Sequence, residues 1–348
     1  MSEISGAYHQ FSVALLQWYR ENGRALPWRE TRDPYAIWLS EIILQQTRVQ
    51  QGWDYWQRFM RRWPTVELLA AATEDEVLRE WQGLGYYSRA RNLHFAARQI
   101  VDMGGFPSTL DGIKSLKGVG DYTAAAIGSM AFGLPVAVVD GNVYRVLARH
   151  FGISTPIDST EGKKEFALLA QALLPKDEAA AYNQAIMDFG AIQCTPQSPH
   201  CSLCPFQESC SALLEGRIAE LPIKQKTVKV TERHLSYIYI RCKGQTAIRR
   251  RGAGDIWQGL WELVTFEPKY ESSLPSNSHH SFPPHLQCIR HGFRHVLTHR
   301  VLLCDFFLWE TEEKPPLPDG YIWIAEEDLD QYALPRMIEL LISELPQR

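Results

Sequence analysis

A cluster of four cysteines restricts the folds open to this chain more than any other feature of its sequence. The cysteines follow the spacing Cys-x6-Cys-x2-Cys-x5-Cys, as Cys194, Cys201, Cys204 and Cys210. Four thiolates can ligate an iron–sulfur cluster, whereas structural zinc sites more often combine two short Cys-x-x-Cys pairs. Only Cys201 and Cys204 form such a pair, so the spacing favours an iron–sulfur cluster over a zinc ion.

Disulfide bonds are the third alternative for these thiols. The chain begins without the basic and apolar signal peptide that would direct it to an oxidising compartment, so disulfides are the least favoured. We therefore expect a cytoplasmic protein. The remaining cysteines are scattered in apolar or loop-like surroundings, where a free thiol behaves as a small hydrophobe, and we assign no role to Cys242, Cys288 and Cys304.

Composition sets the broad class. The chain has 348 residues, 45% of them hydrophobic and 22% charged, which is typical of a globular protein with two hydrophobic cores. No apolar run approaches the roughly 20 residues that a membrane helix needs. The formal net charge of −4 argues against a simple electrostatic nucleic-acid binder. Any DNA contact must come from local basic residues, for which the candidates are Arg61, Arg62, Arg89, Arg91, Lys224, Lys226 and Lys229.

The first part of the chain has the pattern of a helical domain. From residue 7 to about 220, apolar residues recur at intervals of three and four. Asp33 followed by Pro34 predicts one helix start, and that helix is expected to run through Gln45. We therefore predict an all-α domain over residues 1–222.

The character of the sequence changes after Leu221. A lysine-dotted linker is predicted over 223–233, followed by an α+β domain over 234–348. Residues 268–285, which include His279 and His280, have the composition of a long loop. Strands are expected near 234–242, 247–250, 260–266 and 301–309, and helical segments near 326–331 and 334–345.

A glycine-rich turn is the first candidate for DNA contact. Gly118, Val119 and Gly120 stand directly before a helix of small residues, where backbone amides and the helix dipole favour a phosphate. No strand precedes this turn, so a helix–hairpin–helix clamp fits better than a dinucleotide site. A tight turn between two packed helices remains the alternative.

Two carboxylates are candidates for catalysis. Glu41 lies one turn after Ile37 on a predicted helix of mostly apolar side chains. Burial there would raise its pKa and make it a general acid, whereas an exposed position would leave it an ordinary glutamate. Asp140 stands between an apolar run and a helix, where the role of an N-cap is sufficient to explain it.

Two further segments carry side chains that can stack on bases or wedge between them. The first holds Gln46 and Thr47, and the second, Gly83–Arg89, holds Leu84 and Tyr86. Ordinary packing also explains tyrosines in a turn, so these segments are informative only together with the others.

In this order, the motifs resemble those of the adenine DNA glycosylases of the MutY family, within the endonuclease III superfamily, over nearly the whole chain. The matching segments are 26–29 (Leu-Pro-Trp-Arg), 38–47, 83–92, 118–120, 140–145, 182–184 and the four-cysteine loop. The resemblance implies a helix–hairpin–helix glycosylase domain, a 4Fe-4S cluster on the four cysteines, and excision of adenine mispaired with 8-oxoguanine or G in duplex DNA.

The resemblance also implies residue roles. Glu41 would protonate adenine, Asp140 would stabilise the sugar cation, Asn142 would hold Asp140, and Tyr122 would line the site. Strand-cleaving relatives carry a lysine where this chain has Tyr122, so a monofunctional glycosylase is expected. The DNA contacts carried over by motif, together with the basic candidates above, are Arg29, Gln46, Thr47, Leu84, Tyr86, Arg89, Arg91, Gly118, Val119 and Gly120.

The C-terminal part resembles the MutT-like, Nudix-fold domain of the same family. It contains no Nudix box with its metal-binding glutamates, so it is expected to recognise 8-oxoguanine rather than hydrolyse nucleotides. The family has Phe-Ser-His in the recognition turn, and this chain has Leu297, Thr298 and His299. A clamp of two domains on one duplex suggests a monomer on the nucleoid. The alternatives are a glycosylase-lyase for oxidised pyrimidines, a non-catalytic iron–sulfur protein and a nucleotide hydrolase.

Overall fold

The structure is a computed structural model that describes residues 2–225, 229–266 and 286–346. The chain divides into two compact units. The first unit comprises Met1–Ala70 and Phe95–Lys226, and the second comprises Ala71–His94 and Thr227–Arg348. This grouping differs from the limits expected from sequence because the segment 71–94 belongs by its contacts to the second unit. The predicted loop over 268–285, with His279 and His280, and the linker residue Lys226 lie outside the described residues.

Helices make up the described part of the first unit. In chain order the α-helices of the described residues, in both units, are α1 Ser2–Asn22, α2 Pro34–Ile43, α3 Val49–Arg62, α4 Val66–Ala71, α5 Glu74–Glu80, α6 Ser88–Asp102, α7 Leu110–Lys114, α8 Asp121–Phe132, α9 Gly141–Phe151, α10 Thr160–Leu173, α11 Ala179–Asp188, α12 Ser211–Leu214 and α13 Arg336–Ile342. A π-helical turn, Phe189–Gln193, continues α11 toward the cysteine loop. None of the described helices is long and apolar enough to cross a membrane.

Short-range signals set the ends of the helices that matter for the site. Asp33 caps α2 by accepting the Tyr35 N–H, and Pro34 fills the first turn. The helix ends at Ile43, two residues before the predicted end at Gln45. Asp140 caps α9, so the N-cap interpretation of that residue is correct.

The core of the first unit is built around α8. Its residues Ala124, Ala126 and Gly128 are buried, and their small size lets α2 and α11 pack closely on it. Phe166 of α10 and Tyr182 of α11 add aromatic side chains to this core. The packing places one face of α2, the start of α8 and the start of α9 side by side.

A six-stranded mixed sheet forms the second unit's core. Its strands are β1 Thr231–Arg241, β2 Gln245–Arg250, β3 Trp261–Phe266, β4 Gln287–Val296, β5 Arg300–Glu310 and β6 Tyr321–Ala325, in the order β4-β5-β1-β3-β2-β6. Strands β1 and β5 are parallel over the full length of β1, and the other pairs are antiparallel. Helix α13 buries Met337, Ile338 and Leu341 in the core that this sheet forms.

Sequence analysis predicted four of these strands and missed two. Strand β1 starts at Thr231, so the last residues assigned to the linker are part of the sheet. Strand β4 was missed because most of its side chains are exposed or half-buried, which removes the apolar alternation that identifies a strand. Strand β6 spans only five residues. The expected late helical segments are present as a 3-10 helix, Glu326–Gln331, and as α13.

Candidate active site

One cavity in the first unit gathers the predicted catalytic residues. Its volume is about 820 Å³, within the range of roughly 300–1,000 Å³ that is common for small-ligand pockets. The predicted residues among those lining it are Arg29, Glu41, Gln46, Thr47, Tyr122, Asp140 and Asn142. Segments far apart in the sequence thus meet at one site.

Glu41 is the buried acid of this cavity. It is 8% exposed, and its Oε2 accepts the Tyr122 hydroxyl at 2.9 Å. Burial and, to a smaller extent, the charge of nearby Asp140 raise the pKa of Glu41 from 4.5 to about 7, although the bond from Tyr122 and the charge of Arg29 act to lower it. The exposed-glutamate alternative is therefore wrong, and the side chain can hold or release a proton near neutral pH.

The surroundings of Asp140 differ from those of Glu41 because they are rich in hydrogen-bond donors. Its Oδ1 accepts the backbone N–H groups of Asn142 and Val143 at 2.9 and 2.8 Å, and its Oδ2 accepts the Asn142 side-chain amide at 2.9 Å. Burial raises the pKa of Asp140, and these bonds with the charge of Arg145 oppose that rise. Because all three donors stabilise the carboxylate form, Asp140 is arranged to act as an anion.

Arg145 links this carboxylate to the cysteine loop. The side chain is 8% exposed and donates to Asn142 Oδ1 at 2.8 Å and to the Cys194 carbonyl at 2.7 Å. It also donates to the carbonyl of Gly190. A Cβ at Gly190 would stand 2.6 Å from Asn142 Cβ, so only glycine allows this approach. The sequence showed Arg145 as part of a motif but gave no indication of this link.

A buried ion pair fixes the orientation of Arg29. Its guanidinium makes two bonds of 2.7 Å to Asp188, which is fully buried and also pairs with Arg24. These bonds outweigh burial and lower the pKa of Asp188. Arg29 therefore lines the cavity as a cation whose orientation is fixed by Asp188. Its contact with DNA stays a prediction. Sequence analysis missed Asp188, although a carboxylate on an otherwise apolar helix was the same signal that drew attention to Glu41.

Several other residues predicted to contact DNA are exposed or partly exposed. Gln46 is exposed at the rim of the cavity with φ 57°, in the left-handed region, and Thr47 beside it is partly exposed. In the glycine turn, Gly118 and Gly120 are exposed, whereas Val119 is buried and anchors the turn. Lys224 and Lys229 are exposed linker residues.

The four cysteines line a second cavity of the first unit together with Arg149 and Phe206. All four thiols are free. Burial, together with the charges of the other three thiols, raises the pKa of Cys204 to about 11. Arg149, 2% exposed, donates to Cys194 Sγ at 3.4 Å and to the Thr195 carbonyl at 2.7 Å.

The four cysteines and the arginine beside them form a donor set that suits an iron–sulfur cluster. The four thiols around a shared cavity, with a buried arginine to offset their charge, fit an iron–sulfur cluster.

Another candidate site lies wholly in the second unit. Leu84, Tyr86 and Arg91 line a cavity of about 530 Å³ with the turn Leu297–His299, which joins β4 to β5. Tyr86 is exposed with φ 46°, and its hydroxyl contacts Thr298 Oγ1. Predicted contacts from two distant segments are thus adjacent.

Arg89 differs from the expectation for a phosphate ligand. It is 9% exposed, and its guanidinium lies over the Trp81 and Tyr86 rings and donates to the carbonyls of Leu84 and Gly85. Burial lowers the pKa of Arg89 to about 10. Its contacts support the turn that carries Tyr86, and a phosphate contact remains only a prediction.

Comparison with known proteins identifies the class. The chain matches the HhH-GPD superfamily base excision DNA repair protein family over residues 39–172, the NUDIX domain over 236–344 and the iron–sulfur binding domain of endonuclease III over 194–210. A solved thermostable thymine-DNA glycosylase is 33% identical, with a TM-score of 0.56, over 60% of this chain and 97% of that one. These matches define a base-excision DNA glycosylase with an iron–sulfur domain.

Curated relatives define the particular family. The adenine DNA glycosylase of Buchnera aphidicola subsp. Schizaphis graminum is 32% identical over 341 residues, covering 96% of this chain and 98% of that protein. The adenine DNA glycosylase of Homo sapiens is 45% identical over 213 residues, 58% of this chain and 39% of that protein. The chain belongs to the adenine DNA glycosylase family of base excision repair, whose members hydrolyse N-glycosyl bonds. The family, fold class and enzyme class expected from sequence are confirmed.

The raised pKa of Glu41 predicts a pH-dependent effect on stability. Between pH 4.5 and about 7 the folded protein keeps a proton that the unfolded chain has lost. Stability contributed by Glu41 therefore falls as pH rises through this window, by about 3 kcal/mol in all. Glu41→Gln cannot ionise, so its urea midpoint should rise relative to the parent's between pH 5 and pH 8. If the two urea midpoints differed by the same amount at pH 5 and at pH 8, Glu41 would titrate normally.

The bonds of Arg145 predict that its loss loosens the cysteine loop. Arg145→Met would leave buried acceptors at Asn142, Gly190 and Cys194, at a cost of about 2–4 kcal/mol. We expect a lower denaturation midpoint and less bound iron per chain. Arg217→Met is the control, since the ion pairs of Arg217 and its hydrogen bond to Ser154 are partly or fully exposed. Equal effects of the two substitutions would contradict a role for Arg145 in the loop.

Proposed function

We propose that this protein removes adenine mispaired with 8-oxoguanine or G from duplex DNA and leaves an abasic site without cutting the strand. The observation that carries the proposal is the buried, protonatable Glu41 beside Tyr122 and Asp140 in one cavity. An acid that can donate a proton and an anion that can stabilise a cation are the two groups that glycosidic hydrolysis requires.

The recessed position of these groups argues for base flipping. The bond between adenine and its sugar is hidden in a duplex, so the nucleotide must leave the stack at a cost of about a few kcal/mol. Gln46, exposed at the cavity rim in a left-handed conformation, is suited to fill the space left by the base. Tyr86, exposed on its own turn, would stack on the same duplex.

The chemical step divides between the two carboxyl groups. Protonated Glu41 donates its proton to a ring nitrogen of adenine, so that the base leaves with the electron pair of the glycosidic bond. Asp140, held as an anion by Asn142 and the start of α9, stabilises the resulting sugar cation or bonds to it transiently. Water then adds to the sugar carbon and loses a proton, which yields free adenine and an abasic site.

The surroundings of Tyr122 support monofunctional chemistry. Its hydroxyl bonds to Glu41, and a phenol cannot form the Schiff base that a lyase needs. Of the nearby lysines, Lys114 pairs with Asp121 and Lys117 is exposed. Neither lysine is among the residues lining the cavity.

We propose that the iron–sulfur cluster is of the 4Fe-4S type, held by Cys194, Cys201, Cys204 and Cys210. Support comes from four free thiols around one cavity. When bound, the cluster would cross-link the loop that Arg145 and Arg149 attach to α9. We further propose that the protein acts as a monomer on the nucleoid of the cytoplasm, where its DNA substrate would lie.

The turn Leu297–His299 is proposed to recognise 8-oxoguanine. The Thr298 hydroxyl replaces the serine hydroxyl that the family uses, and it already contacts Tyr86. Leu297 is half-buried and packs against the sheet core, which leaves Thr298 and His299 exposed at the tip. A hydroxyl at this tip can bond to the atoms that distinguish 8-oxoguanine from guanine.

Adenine excision is tested with a duplex that holds one A opposite 8-oxoguanine. The parent should release adenine and yield strand cleavage only after hot alkali, and Glu41→Gln should be slower by about 100-fold or more because the general acid is lost. Cleavage without alkali would indicate a lyase. No adenine release by the parent would refute the proposed activity.

Lesion recognition is tested by the ratio of excision rates for A opposite 8-oxoguanine and A opposite G. Thr298→Val keeps the side-chain shape and removes the hydroxyl, so the ratio should fall by about tenfold, or about 1.4 kcal/mol. Thr298→Ser keeps the hydroxyl and should retain the ratio. Equal ratios in the parent and Thr298→Val would contradict a role for this hydroxyl.

A further inference from the structure

The side chain of Arg91 is hydrogen-bonded to the backbone of the second unit. Its guanidinium donates to the carbonyl of Gln258, in the loop between β2 and β3. The side chain is half-buried, and Arg91 stands on the first turn of α6, directly after the turn that carries Tyr86. This charge-assisted hydrogen bond from the Arg91 guanidinium holds the start of α6 against the loop between β2 and β3.

Gly259, the next residue of that loop, allows the close approach. It has φ 82°, and a Cβ there would stand 3.2 Å from Leu78 Cδ1 and 3.3 Å from Glu74 Oε1. The Arg91 Cδ would be 3.7 Å away. Helix α5 and the start of α6 therefore fit against this loop because it has no side chain at Gly259.

Two further polar contacts hold the segment 74–91 on the second unit. Arg250 Nη2 pairs with Glu74 Oε1 at 2.9 Å, and the amide of Gln82 contacts Glu339 on α13. The exposed Arg250 pair contributes little by itself. Together these contacts attach residues 74–91 to the sheet at several separate points, so the position of the Tyr86 turn is set by the second unit.

We infer that Arg91 and Gly259 are positioning residues for lesion recognition. By holding the segment 74–91 on the loop Gln258–Gly259, they keep Tyr86 against Thr298, so that the two side chains meet the mispair as one preformed surface. The inference rests on the proposed recognition of 8-oxoguanine and adds the residues that build the recognition surface. It also gives Arg91 a role other than that of a phosphate ligand.

The test compares Arg91→Met and Gly259→Ala with the matched control Gly254→Ala. Gly254 also has a positive φ, 90°, but no atom lies within 4 Å of the position of its Cβ. Gly254→Ala therefore introduces the same kind of backbone strain as Gly259→Ala, but without the steric clash. Each protein is used at full length, and rates are normalised to the active fraction measured by burst titration.

The first readout is amide hydrogen exchange of the turns Gly83–Ser88 and Leu297–His299 in the DNA-free protein. We expect faster exchange in both turns for Arg91→Met and Gly259→Ala and parent-like exchange for Gly254→Ala. Unchanged exchange in the first two variants would overturn the inference, whatever substrate the enzyme prefers.

The second readout is the rate ratio for A opposite 8-oxoguanine and A opposite G, with the salt dependence of DNA binding. We expect the ratio to fall by about tenfold in both test variants while the salt slope of Arg91→Met stays that of the parent. A phosphate ligand would instead lower both rates alike and reduce the slope by about one, which would overturn the inference. A parent without any preference would refute the proposed recognition of 8-oxoguanine, and hydrogen exchange would still decide the positioning role.

Discussion

The burial of Glu41 is the constraint on which the rest of the site depends. A carboxyl group on a helix packed between α3 and α8 cannot ionise as it would in water, and its pKa rises to about 7. The buried small residues of α8 make this packing possible, and Tyr122 on α8 supplies the hydroxyl that bonds to the acid. The same helix packing thus creates the acid and aligns it.

Burial also raises the pKa of the neighbouring Asp140, but hydrogen bonds stabilise its charged form and oppose that rise. Three N–H donors from the start of α9 stabilise its charged form, and Arg145 extends this arrangement to Gly190 and Cys194. The cysteine loop is therefore bonded to the residues that hold the Asp140 carboxylate. On the proposed mechanism, loss of the loop would release Arg145 and with it Asn142, and would so affect catalysis.

The parts of the site that could be predicted from sequence depend on local patterns. Glu41 was found because helical spacing put it among apolar residues, and Asp140 was recognised as a cap because capping is a short-range signal. The pair of Arg29 with Asp188 could not be predicted, because the two residues meet only when α11 packs against the N-terminal segment. The inward orientation of Arg89 likewise depends on its packing against Trp81. Strand β4 has too few buried side chains to carry an apolar pattern.

We propose that Glu41 is a neutral acid at the pH where the enzyme works, and its ionisation can be observed directly. Difference infrared spectra of the parent and Glu41→Gln, recorded from pH 4 to pH 9, isolate the carbonyl stretch of this one protonated carboxyl group. We expect a band that persists past pH 6 and disappears with a midpoint near the pKa of about 7. A band that is lost near the ordinary value of 4.5 would contradict this proposal, because Glu41 would then be ionised before it could protonate adenine.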